Sequence, residues 1–164
     1  MMRKDEARIL AKNTRQTLKC DKSSITSLIA PYFRDVKTVD IYYPLSYEID
    51  LLFLEEEYPN INFVFPVIVG YNMVFKDHKG GFKKGPFNTL EPIGSEIPKQ
   101  DIDLIITPLL AINPKSYRLG YGKGYYDRYL CDYSGKTLAI IYKELLLNFK
   151  EDKHDVKIKE VIYL

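Results

Sequence analysis

Three glycines stand at alternate positions in RLGYGKGYYDR, residues 118–128, and a lysine, two arginines and an aspartate surround them. Backbone without a Cβ reaches positive φ and lets successive N–H groups converge, a geometry that attracts anions. Gly120, Gly122 and Gly124 supply that backbone, and Lys123 adds a mobile point charge suited to phosphate. The alternation matches neither the nucleotide loop G-x-x-x-x-G-K-[ST] nor the dinucleotide fingerprint G-x-G-x-x-G. A tight turn would use the same glycines, but with Arg118, Lys123 and Asp127 beside them a phosphate chain is the favoured guest. Asp127 has two roles open to it at this level: compensating a helix dipole, or holding Mg2+ against the same phosphates.

Other charged residues stand where a fold could bring them to this loop. Lys4 and Arg8 are four apart and share one helix face, although a solvated face is the ordinary explanation of such a pair. Glu48 opens an expected helix after a strand, a ligand-facing place in α/β folds, and an acid at a helix start is its plain alternative. His78 and His154 show no metal spacing and read as surface residues.

These residues need elements to hold them. Residues 3–19 read as a helix with Ile9, Leu10 and Leu18 as its narrow apolar stripe. Ser23 or Ser24 could cap a second helix running to about Ala30, ended with the help of Pro31. VDIYYP (39–44) is a β-rich run, IDLLFLEEEY (49–58) a helix and INFVFPVIV (61–69) a strand. DLIITPLL (103–110) is a buried strand ended by a proline, followed by the glycine loop and a short helix over YYDRYLCDY (125–133). KTLAIIY and IKEVIYL add two strands. Residues 70–100, with KDHKGGFKKG and three prolines, read as an excursion of loops and short strands. The alternation implies a single α/β domain over 1–164, with a mostly parallel central sheet flanked by helices in Rossmann-like layers. Ligands in such sheets sit beyond the carboxyl ends of strands, where the glycine loop falls.

The chain has 164 residues, 46% hydrophobic and 28% charged, enough for one ordinary core. A net charge of +2 is too balanced to argue for nucleic acid. The 14 tyrosines reflect a compositional bias rather than base stacking. Cys20 and Cys131 form neither a ligand cluster nor a disulfide framework, as in a reducing cytosol. No apolar run approaches the roughly 18 residues of a membrane span, and MMRKDEARIL lacks the centre of a secretion signal. The expectation is a cytoplasmic monomer with no nucleic-acid or membrane partner.

RLGYGKGYYDRYL resembles the signature of the 5-formyltetrahydrofolate cyclo-ligase family, also called 5,10-methenyltetrahydrofolate synthetases. Lys4 and Arg8 look like the family's N-terminal Lys-x-x-x-Arg pair, and Glu48 in YPLSYEID like its folate-contacting glutamate. FPV (65–67) and EPIG (91–94) resemble its central segments, and HDV (154–156) its second acidic site, at Asp155. The resemblance spans nearly the full length and is weakest over 70–90. The chain departs from the family pattern at Ile112–Asn113, where Phe-Asp is usual, and at Ser116, usually glycine; these positions shape the approach to the loop.

The resemblance implies an ATP- and Mg2+-dependent ligase that cyclises 5-formyltetrahydrofolate to 5,10-methenyltetrahydrofolate through a phosphorylated formyl group. It assigns catalysis to Arg118, Lys123 and Tyr126. ATP would be bound by Lys4, Arg8, Arg118, Leu119, Gly120, Tyr121, Gly122, Lys123, Gly124, Tyr125 and Tyr126. Glu48, Tyr125 and Tyr126 would hold the folate, and Asp127 and Asp155 the Mg2+. The rivals are a folate or nucleotide binder without turnover, a sugar-phosphate enzyme on a similar scaffold, and an RNA-binding module using the tyrosines and the lysines of 76–84.

Overall fold

The glycine-free N-terminal segment forms α1 (Lys4–Arg15), started by the Glu6 carboxylate, which accepts from the Arg3 N–H at 3.0 Å. A computed structural model describes all residues, 1–164, and shows α1 packed against a short strand at 111–112 and a tight turn at 143–145. The stripe it buries is Ala7 and Ala11; Ile9 and Leu10, expected inside, are exposed. Two alanines let the helix backbone come close to its neighbours, which matters because Lys4 and Arg8 ride on the adjoining face. The second helix, α2 (Lys22–Ile29), is capped by Asp21 rather than by Ser23 or Ser24. The Asp21 carboxylate accepts from the Ser23 N–H and from both serine hydroxyls at 2.8–3.0 Å. Pro31 lies inside a 3-10 turn (Ala30–Phe33) that continues the chain.

β1 (Thr38–Asp40) is shorter than the 39–44 run suggests. The Ile41 N–H still donates to the Val64 carbonyl at 3.1 Å, and residues 42–44 then leave the ladder, with Tyr42 and Tyr43 reaching the site. The helix expected over 49–58 shrinks to one turn, α3 (Leu54–Glu57). Asp50 captures the Leu52 N–H, and Leu54 and Glu55 donate three residues back, so tight turns take the place of the first helical turns. Then follow β2 (Asn62–Val69), β3 (Asn72–Lys76), β4 (Phe82–Lys84), β5 (Leu90–Pro92), β6 (Glu96–Ile97), β7 (Leu104–Ile106), β8 (Ala111–Ile112) and β9 (Arg118–Leu119). The chain finishes with α4 (Tyr125–Leu130), shorter than expected, β10 (Lys136–Ile141) and β11 (Glu160–Tyr163).

Seven strands make one sheet in the order β11-β10-β7-β1-β2-β3-β6. The first five are parallel, and β3 and β6 add antiparallel to one edge. The stretch 70–100 is the expected excursion: β3 and β6 extend the sheet and β4–β5 form a separate ribbon. Its His78 is half-buried rather than a surface residue, stacked on Phe82 and paired with Glu55 at 2.6 Å. One cluster of 36 buried residues unites sheet and helices. Both cysteines are free, and no helix is long and apolar enough to cross a membrane.

The order fixes where a ligand can sit. From β1 the chain moves outward to β2 on one side; β7, on β1's other side, leads outward to β10 and β11. The reversal between β1 and β7 is a topological switch point, where the loops leaving two adjacent strands part and open a crevice. The loop after β1 carries Glu48. The segment after β7 folds into the β8–β9 hairpin and delivers the glycine loop.

Candidate active site

A cavity of about 520 Å3 occupies that crevice. Every site residue expected from the sequence lines it: Lys4 and Arg8 from α1, Glu48 from the loop after β1, Arg118–Asp127, and Asp155 from the segment before β11. The solvated-face explanation of Lys4 and Arg8 therefore fails; both are half-buried, Arg8 against the loop and Lys4 against Asp152 and Asp155.

The glycine loop is held from two sides. Before it, Asn113 is buried and its Oδ1 accepts from the Lys115 and Tyr117 N–H groups, both at 3.0 Å. An amide oxygen thus does there what an aspartate carboxylate can do. Ser116 has φ +67°, a conformation glycine adopts freely, so serine in place of the usual glycine costs strain. On the other side Arg8 Nε donates to the Gly120 carbonyl at 2.8 Å. Gly122 has φ +96° and Gly124 φ +73°.

None of the hydrogen bonds in the structure takes its donor from the backbone N–H groups of Gly120 through Asp127. These groups border a cavity that also receives cations from α1 and the loop. Backbone donors without partners beside positive side chains are what a phosphate chain requires.

The charges near the loop form two linked pairs. Lys4 Nζ donates to Asp155 Oδ2 at 2.5 Å and Asp152 Oδ2 at 2.7 Å. Burial opposes the Lys4 charge, but these two bonds outweigh it and raise its pKa. The Asp152 N–H in turn fixes Asp155 Oδ2 at 2.8 Å. Arg118, almost wholly buried, brings Nη2 to 3.1 Å from Asp127 Oδ1, close enough for charge attraction but poorly aligned for a hydrogen bond. The Val156 N–H also donates to Asp127 Oδ1 at 3.1 Å. Asp127 and Asp155 each keep one carboxylate oxygen without a protein partner. Two such oxygens next to a run of unpartnered backbone N–H groups fit Mg2+, which takes one or two carboxylates and completes its shell with substrate oxygens and water.

Another part of the cavity wall is apolar and aromatic, made by Tyr42, Tyr43, Pro66, Ile68, Met73 and Phe87. Glu48 and Glu91 are the buried acids of the cavity. Glu48 Oε2 accepts from the Leu45 N–H at 2.7 Å and its own N–H returns to the Leu45 carbonyl, so a turn, not a helix start, holds it. Burial pushes Glu48 up to about 7, with the Leu45 N–H pulling the other way. Tyr126 is buried, its ring 5.3 Å from the Arg118 guanidinium, and its hydroxyl has no partner. Burial and the charges of Asp40 and Glu48 push that hydroxyl well above its ordinary value. Tyr125 lines the cavity while its hydroxyl reaches the Gly70 carbonyl at 3.4 Å.

Sequence reasoning missed Asp152, Glu91 and Phe87. Asp152 stands one helical turn's spacing before Asp155, and that spacing was the available signal. Glu91 lies within the EPIG segment; it is buried and accepts from the Ile68 N–H at 3.3 Å. Phe87 has φ +59° and its ring lies 5.2 Å from Lys123 Nζ, a placement set by the β4–β5 ribbon alone.

The geometry has counterparts among known proteins. The model of the 5-formyltetrahydrofolate cyclo-ligase family matches residues 2–164. The 5-formyltetrahydrofolate cyclo-ligase of Mycoplasma pneumoniae is 33% identical over 129 residues, which cover 77% of this chain and 73% of that protein. The corresponding protein of Mycoplasma genitalium is 33% identical over 133 residues, with 77% and 72% covered. Among solved structures, the 5,10-methenyltetrahydrofolate synthetase of Aquifex aeolicus matches with a TM-score of 0.85 at 27% identity, covering 99% of this chain and 90% of that one.

Proposed function

The chain belongs to the 5-formyltetrahydrofolate cyclo-ligase family, and we propose that it closes the ring of 5-formyltetrahydrofolate at the expense of ATP, with Mg2+, in the cavity between β1 and β7. It is a ligase of small-molecule substrates. The observation that carries the finer reading is the run of unpartnered N–H groups from Gly120 to Asp127 beside Lys4, Arg8 and Lys123.

The chemistry follows from the substrate. An amide oxygen is a poor leaving group, and phosphorylation makes it a good one. The formyl oxygen attacks the γ-phosphorus, the bond to ADP breaks, and the formyl carbon carries a phosphate. The nitrogen at position 10 then attacks that carbon and gives up its proton; inorganic phosphate departs with the former formyl oxygen, leaving the amidinium of 5,10-methenyltetrahydrofolate. Phosphoryl transfer of this kind needs positioning and charge neutralisation more than a protein nucleophile. The loop N–H groups, Lys123 and Arg118 would meet charge on the transferring phosphoryl group. Lys4 and Arg8 would neutralise the remaining phosphates from α1. Mg2+, held by Asp127 and Asp155, would supply further charge neutralisation at the phosphate oxygens. Glu48 would accept hydrogen bonds from the pterin, and Tyr125 and Tyr126 would stand where the two substrates meet.

The test is turnover of 5-formyltetrahydrofolate with ATP and Mg2+, followed by the longer-wavelength absorbance of the conjugated amidinium. Product should form only when both ATP and Mg2+ are present. Enzyme-accelerated ring closure without nucleotide would replace this reading with a simple cyclase.

A further inference from the structure

Arg128 follows the loop and does not line the cavity, yet it ties two of the cavity's walls together. Its Nη1 donates to the Lys123 carbonyl at 2.9 Å, within the glycine loop. Its Nη2 and Nε both donate to the Tyr71 carbonyl, at 2.9 and 3.2 Å. Gly70 and Tyr71 form the two-residue turn of the β2–β3 hairpin, whose register pairs Val69 with Asn72. Ile68 and Met73, flanking that turn, line the cavity. The Tyr71 ring lies 3.8 Å from the guanidinium and the Tyr125 ring 5.0 Å, which fixes the plane of the fork from two directions. The Tyr125 hydroxyl adds a second tie to the hairpin through the Gly70 carbonyl.

This clasp has a consequence for the loop's donors. A peptide unit is planar and trans, so its carbonyl and the following N–H point in opposite directions. Holding the Lys123 carbonyl to Arg128 therefore turns the Gly124 N–H away from Arg128, and that N–H has no protein acceptor. Gly124 itself borders the cavity. A Cβ on Gly124 would lie 2.8 Å from Arg128 Nη1, so the absence of a side chain there leaves the room the guanidinium occupies.

We propose that Arg128 is a positioning residue for nucleotide binding: by clasping Lys123 to the Gly70–Tyr71 turn it fixes the peptide plane that presents the Gly124 N–H to the phosphates. The proposal rests on the reading that this loop takes the phosphates of ATP. It assigns an effect on nucleotide affinity to Tyr71, which is largely exposed and is not one of the residues lining the cavity.

Calorimetric titration of the full-length protein with ATP and Mg2+ tests this without requiring turnover. Arg128→Ala should weaken ATP binding roughly ten-fold, as expected for losing a charge-assisted hydrogen bond that holds the loop. Arg128→Lys keeps the charge without the planar fork and should fall between variant and parent. Tyr71→Ala should weaken ATP binding by a smaller factor, and the double variant should be no weaker than Arg128→Ala alone, because both act through one clasp. Melting temperatures identify any variant that does not fold; Tyr71→Ala, an exposed change, carries the test in that event. Unchanged ATP affinity in folded Arg128→Ala, or no loss in Tyr71→Ala, would overturn the proposal. A parent protein that binds ATP but makes no methenyl product overturns the proposed function alone, whereas a parent that binds no ATP overturns both.

Discussion

One part of the cavity wall is backbone: N–H groups from Gly120 to Asp127, with cations supplied by α1 and Lys123. Another part is side chains from β2, β3 and the loops after β1 and β4, with Glu48 and Glu91 as its buried acids. Backbone donors are fixed by the path of the chain, so that part depends on a few glycines and the residues that hold them. Side-chain walls depend on packing between distant strands, and a buried carboxylate there titrates with its surroundings. Under the proposed function the first would take phosphates and the second the ring system. The difference predicts that the phosphate part fails through geometry and charge, and the ring part through protonation and shape.

The largest effect should come from Lys123→Ala. Losing one donor to transition-state charge costs on the order of 100- to 1,000-fold in rate, and the side chain is exposed, so melting should hardly move. Pre-steady-state turnover together with folate binding checks it. Folate affinity that fell as far as the rate would blur the division between the two parts.

Gly122→Ala comes next. At φ +96° a Cβ is strained, and it would stand 3.4 Å from Arg8 Nη2. Stability should fall by about 1 kcal/mol or more. ATP affinity should drop further than that, because the methyl group also keeps phosphates from the backbone. Folate binding in the absence of nucleotide should persist. Denaturant melts beside ATP titrations separate the two effects, and a stability loss with intact ATP affinity would make the loop a turn and nothing more.

Glu48→Gln probes the ring part. The Glu48 carboxyl is raised from 4.5 to about 7 by burial, so folding favours its protonated form. The stability this contributes is complete below pH 4.5 and is lost as pH rises through about 7. The glutamine variant, neutral throughout, should melt higher than the parent above pH 7 and alike below pH 4.5. Its Michaelis constant for folate should rise several-fold, more than that for ATP, since only an ionised Glu48 accepts every pterin N–H offered to it. In the parent that constant should fall as pH climbs through 7; a flat profile would remove Glu48 from folate recognition.

The smallest functional effect belongs to Asp40, at the end of β1 and outside the cavity lining. Its carboxyl is fully buried, neither oxygen has a partner, and burial pushes its pKa well above the ordinary range. Asp40→Asn should raise the melting temperature at neutral pH, where the acid's proton preference opposes folding more than it does in acid, and leave both Michaelis constants in place. A shift in either constant would tie Asp40 to one part of the cavity wall.

The same division governs what the sequence revealed. The glycine loop was legible because short-range spacing carries its chemistry, and alternating apolar runs announced the parallel sheet; Lys4 and Arg8 read as a shared helix face, and only the family resemblance pointed to them as ligands and to Asp155. Glu48 was found, but as a helix start; the Asp50 turn that prevents the helix depends on one local side-chain bond. The α1 stripe was misread because hydrophobicity favours Ile9 and Leu10, whereas close packing selected Ala7 and Ala11. Phe87, Glu91 and the β2–β3 wall stayed hidden, since the register of β3 and the path of the β4–β5 ribbon are settled by pairing between strands.

The central claim, that the formyl oxygen is phosphorylated at the backbone-lined part before the ring closes, can be read from one atom. Substrate labelled with oxygen-18 in the formyl group, turned over with unlabelled ATP in unlabelled water, should deliver the label to inorganic phosphate, one atom per methenyl product. Label appearing in water with unlabelled phosphate would contradict the account.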